Sequence, residues 1–190
     1  MVAFSYKVLY NYTIQTGVKM TAATATAPQT LEERVEGWAN DLCRALEENY
    51  KQETIRSHKR QRDEGDSWSQ EYHQDRLDEI ALGGGHLYKF AAYKGRKYIK
   101  IVMRQFDDMG PQRTNTYKDS SVHAFIDKKT GQVYMPAGYN KPTLTGKYPV
   151  RWDLRIIKDR EYILNPINCT WSGGYLYDLS LIHISEPTRP

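Results

Sequence analysis

The sequence predicts an α+β domain: an N-terminal amphipathic helix, or two helices, packed on a small antiparallel β-sheet made of two hairpins. Three observations predict it. A helical apolar period starts at Leu31, the triplet Gly83–Gly85 ends the helical region, and a period of two with two turn signals follows.

The helix opens on Thr30 and Glu33, the spacing of a capping box, in which each side chain bonds the other residue's backbone N–H. Leu31, Val35, Trp38, Leu42, Ala45 and Leu46 then recur at three- and four-residue spacing and form one apolar stripe. Charged residues such as Glu32, Glu36, Asp41 and Arg44 take the other faces, and the helix is expected to run past Tyr50. One stripe does not stabilise an isolated helix, so Leu31, Val35, Trp38, Leu42 and Leu46 must cover the sheet or a protein partner, a second copy included. After Thr54 the period fades into the basic run Arg56–Arg62, a solvated helix end, and then a loop over Asp63–Asp66. Trp68, Tyr72, Leu77 and Ile80 give a weaker second helix over Ser67–Leu82.

Beyond the glycines, His86–Tyr93 and Lys97–Met103 are β-rich runs joined by the turn Lys94–Arg96. Ile99, Ile101 and Met103 alternate with Tyr98, Lys100 and Val102. A polar loop is expected over Phe106–Ser120. The second hairpin pairs Ser121–Ile126 with Gln132–Met135 through Asp127–Gly131, where Gly131 suits positive φ and Asp127 can accept from its own turn amides. Pro136, Pro142 and Pro149 make the next stretch irregular; a short strand is expected over Val150–Ile157, and Trp171–Tyr177 is expected to return aromatics to the core.

Both chain ends are set apart. The eleven residues Leu179–Arg189 resemble the translated read-through of a sequencing-library adapter; the competing reading is a terminal strand at Leu181–Ile184. Met1–Lys19 reads as translated leader with the true start at Met20, against a genuine strand over Phe4–Tyr10. The expected organisation is therefore a disordered or spurious leader over 1–28, a helical region over 29–82, a small antiparallel β domain over 86–178, and an adapter remnant over 179–190.

The chain carries 27 Lys+Arg against 23 Asp+Glu, a formal +4. Lys7, Lys19, Arg189 and Glu186 all lie in the end segments, and without them the charge falls to +2. No apolar run reaches membrane-spanning length. Cys43 and Cys169 are far apart in sequence and lack metal-ligand spacing, which points to a reducing compartment without disulfides. Tyrosine is abundant, with 15 residues against 4 Phe, which suits a half-exposed sheet or base stacking equally.

The strongest chemical signal is the first hairpin. Lys94, Arg96, Lys97, Lys100 and Arg104 interleave with Tyr98 and neighbouring aromatics, a pattern that can neutralise phosphates and stack bases of a single strand. The same lysines could equally be a solvated face that keeps a sheet edge from aggregating. His123 and Asp127 are a possible functional pair, since strand alternation would put His123, Phe125 and Asp127 on one face. The competing reading makes His123 a half-buried strand residue and Asp127 a turn cap. The histidines lack zinc-site spacing, and Gly83–Gly85 precedes a strand where a phosphate loop would open a helix. No metal or cofactor is expected, and an enzyme is the least expected class. An assembly protein acting through the helical stripe is the alternative to nucleic-acid binding.

Gly95–Val102, the hairpin Ser121–Tyr134 with Pro136-Ala137, and Trp171–Tyr177 resemble a group of small tailed-phage proteins of uncharacterised function. That group carries a "KYxKI" strand, an "SVHxFxDxxTGxVYKPA" hairpin and a terminal "WxGGYLY"; here Met135 stands where lysine is usual. The resemblance implies a phage gene and a product in the cytoplasm of the infected bacterial host. It brings no catalytic residues with it.

Overall fold

The computed structural model describes residues 29–107, 114–146 and 148–178; the expected leader and adapter segments lie outside the described residues. Helix α1 spans Leu31–Glu64 and α2 Ser67–Ala81. Strands β1 (Lys89–Lys94), β2 (Tyr98–Phe106), β3 (Tyr117–Asp127), β4 (Gln132–Tyr134) and β7 (Val150–Asp153) form one antiparallel sheet in the order β1-β2-β3-β4-β7. Between β4 and β7 a small ribbon is made of β5 (Pro136–Gly138) and β6 (Lys141–Pro142). Helix α3 (Ile157–Ile163) and a 3₁₀ turn at Gly174–Leu176 are the last elements among the described residues.

The capping box starts α1: Glu33 N–H donates to Thr30 Oγ1 at 3.2 Å, and Thr30 N–H to Glu33 Oε2 at 2.7 Å. The stripe then meets the sheet. Val35, Ala39, Leu42 and Leu46 are fully buried in one cluster with Ile101, Ala124 and Ile126. The apolar stripe therefore covers the chain's own sheet. Leu31 and Trp38 are only partly buried at its margin, with the Arg160 guanidinium 4.7 Å from the centre of the Trp38 ring.

Past Asn49 the helix leaves the sheet and continues without a break to Glu64, where α2 packs back on it. The fading period over Arg56–Arg62 is this solvated extension. At about 1.5 Å per residue α1 is roughly 51 Å long, so its second half stands beyond the sheet.

The sheet's register explains its two faces. Phe90, Ile99 and Ile101 turn toward α1, while Val102, Phe125 and Tyr134 are buried on the other side, where the β5–β6 ribbon lies against β3. Strand β3 is longer than expected: Tyr117 pairs with Phe106 and Asp119 with Arg104, inside the segment read as loop. Those residues are polar or half-buried on both faces, so no alternation marks them. The strand expected over Val150–Ile157 stops at Asp153, where Asp153 Oδ1 accepts from Arg155 N–H at 2.9 Å and turns the chain into α3.

Both cysteines are free and buried, and burial pushes each thiol up to about 12.

Candidate nucleic-acid interface

Strands β1 to β4 follow one another in antiparallel order, so the β1–β2 and β3–β4 turns emerge at the same end of the sheet. Gly95 N–H donates to Tyr98 O at 2.9 Å to close the first turn. In the second, Asp127 Oδ1 accepts from Lys129 N–H at 2.9 Å and Thr130 N–H at 3.1 Å, while Gly131 takes φ +69°. Lys128 N–H donates to Lys97 O at 3.1 Å and locks the two turns together. The start of α1 lies beside them and contributes Glu32 and Glu36.

Each cation has a different fate. Lys94 pairs with Glu36 at 2.5 Å and Lys128 with Glu32 at 2.8 Å, and the Lys128 hydrogen bond holds the Glu32 carboxyl below its ordinary value. Lys97 lies 3.9 Å from Asp127 Oδ2 and 5.0 Å from the centre of the Tyr98 ring. Lys100 sits 4.0 Å from the centre of the Tyr139 ring, a cation–π contact. Arg96, Lys100 and Lys129 form no ion pair among the described residues, although the charge of Lys129 also helps to hold the Glu32 carboxyl down.

Lys94, Arg96, Lys97, Tyr98 and Lys100 line one shallow cavity of about 270 Å³, together with Phe125 and Asn140. Arg96 and Lys97 also line a second cavity of about 500 Å³ with Lys128 and Lys129, and the carboxylates Glu32 and Asp127 line it too. Arg104 belongs to neither. It lies further along β2, bonded to Asp119 at 3.1 Å and to Tyr117 O at 2.8 Å, so its charge is taken up within the sheet. Tyr98 is half-buried, edge-on to Phe125 and Tyr134, and works mainly as packing. Tyr93 and Tyr139 are the exposed rings near the hairpin.

His123 and Asp127 do not come together. Ile101 pairs with Ala124 but Val102 with Val122, so His123 is an extra residue in a β-bulge and the expected alternation is broken there. Its ring turns to the α1 side, edge-on to Phe90 at 5.4 Å and with Nε2 3.1 Å from the Tyr175 hydroxyl. Phe125 stays on the opposite face, and Asp127 caps its turn.

Residues 19–178 match a family described only as of unknown function, DUF7717. The chain belongs to this family. Comparison with curated proteins and with solved structures gives no match. Among the described residues of this DUF7717 chain, no group of three His, Cys, Asp or Glu is placed to hold a metal ion, and no helix is long and apolar enough to cross a membrane.

Lys128 and Lys129 are the basic residues at this end of the sheet that the hairpin pattern of Lys94–Arg104 does not include. Their basic character is plain in the turn Asp127–Gly131, but only the strand order β1-β2-β3-β4 brings that turn to the same end of the sheet as Arg96 and Lys97.

Proposed function

We propose that this DUF7717 domain binds single-stranded nucleic acid across the two basic turns, as an accessory protein of a tailed phage in the cytoplasm of the infected bacterium. One observation carries the reading. Arg96, Lys100 and Lys129 gather at one end of the sheet outside any ion pair, with the exposed Tyr139 ring beside Lys100. Cations neutralise phosphates, and an exposed ring offers a sequence-tolerant stacking surface. The small net charge makes the binding weak and local. The alternative role in assembly through the helical stripe has less to support it, because Val35, Leu42 and Leu46 are fully buried in the chain's own core.

Fluorescence anisotropy with labelled single-stranded DNA tests this. Three neutralised phosphates give a log–log salt slope of about −2. Arg96→Glu with Lys129→Glu should abolish binding while leaving the fold intact, and Tyr139→Ala should weaken it by about 1–3 kcal/mol. Absence of binding at about 20 mM salt overturns the reading, since electrostatic attraction is greatest there.

A further inference from the structure

A cavity of about 320 Å³ lies on the α1 side of the sheet, away from the basic turns, where the β2–β3 end meets the C-terminal segment. Met103, Met135, Trp171 and Leu176 give it apolar walls, Ser121 and His123 are polar members, and no charged side chain among the described residues lines it. Gly173 closes the loop over the histidine in the left-handed region, φ +86°, where a Cβ would come within 3.7 Å of His123 Cε1.

The protonation of His123 follows from its neighbour. Burial pushes its pKa down to about 4, so the ring is neutral near pH 7 and has one donor and one acceptor nitrogen. The Tyr175 hydroxyl is buried, and its hydrogen-bond partner among the described residues is His123 Nε2. A buried hydroxyl left without an acceptor is unfavourable, so it donates to Nε2. The ring proton must then sit on Nδ1, a donor with no protein partner among the described residues. His123 lines the cavity, whereas Tyr175 does not.

We propose that this cavity binds a small uncharged molecule whose carbonyl oxygen accepts a hydrogen bond from His123 Nδ1. A carboxylate would enter a site without a cation to replace its lost hydration, so a neutral amide or ketone fits better. The volume equals that of about ten water molecules, which sets the ligand at on the order of ten non-hydrogen atoms. The site is separate from the nucleic-acid reading and stands or falls without it.

Nuclear magnetic resonance on the ¹⁵N-labelled full chain tests it with three probes of similar shape: N-methylbenzamide, benzoate and ethylbenzene. The free protein should show the Nδ1–H tautomer at His123. N-methylbenzamide at millimolar concentration should shift the Gly173 amide and the Trp171 indole saturably, with benzoate and ethylbenzene about tenfold weaker. His123→Phe should remove the preference for the amide. Should that variant fail to fold, Ser121→Leu, which narrows the cavity at an exposed position, should weaken amide binding. An Nε2–H tautomer, no saturable shift, equal binding of either control probe, or unchanged binding to Ser121→Leu overturns the proposal.

Discussion

Asn49 ties the end of the chain to the long helix: its Oδ1 accepts from Trp171 N–H at 2.9 Å, and its Nδ2 donates to Pro166 O at 2.7 Å. Asn49 is the last buried residue of α1, and Trp171 then packs edge-on to Tyr50 at 5.0 Å. A polar residue in an otherwise apolar helix stripe is thus satisfied at both ends of its amide.

Asn49→Leu keeps much of the volume but leaves the Trp171 N–H and the Pro166 carbonyl without partners. Stability should fall by about 2–4 kcal/mol. Urea denaturation checks this: the midpoint should drop with the slope unchanged, since the fold itself remains.

His123 makes stability depend on pH in one direction. The unfolded ring, with an ordinary pKa of 6.5, takes up a proton that the buried ring refuses until about pH 4. The unfolded state therefore binds more protons in this window, so stability is complete above pH 6.5 and is lost as pH falls toward 4. The full effect is about 3 kcal/mol. Urea midpoints measured across this range should slope downward toward acid, and His123→Phe should flatten that slope.

The extension of α1 has its own acid-sensitive contact. His58 Nδ1 and His73 Nδ1 lie 2.8 Å apart between α1 and α2, which requires one of the two rings to be unprotonated at that nitrogen. Partial burial, then the charges of His73 and Arg76, hold His58 below its ordinary value of 6.5. Stability from this contact is present above that value and lost as pH falls below it. Amide exchange in α2 should accelerate on acidification while the sheet stays protected, and His58→Phe should remove that dependence.

Stretches of the fold with a single physical signal were legible in the sequence. The capping box at Thr30, the stripe from Leu31 to Leu46 and the turn at Asp127–Gly131 each depend on neighbours within a few residues, and each is where local pattern puts it. The extension of β3 to Tyr117 was not legible, because its polar residues carry no alternation. Half of the candidate interface was readable as well: Lys94, Arg96, Lys97, Lys100 and Arg104 stand out as basic residues on a hairpin, but which of them keep their charge free depends on Glu36, Asp119 and Asp127, brought in from elsewhere.

The sequence by itself determined the two N-terminal helices and the two hairpins, because capping, periodicity and turn chemistry act over one to four residues. Only the tertiary structure decided the faces. The bulge at His123 turns one ring from the outer face into the core, beside a tyrosine 52 residues away in the chain. The order of the strands brings Lys128 and Lys129 to Arg96. Register and strand order are set by which surfaces bury one another, and those surfaces come from distant parts of the chain.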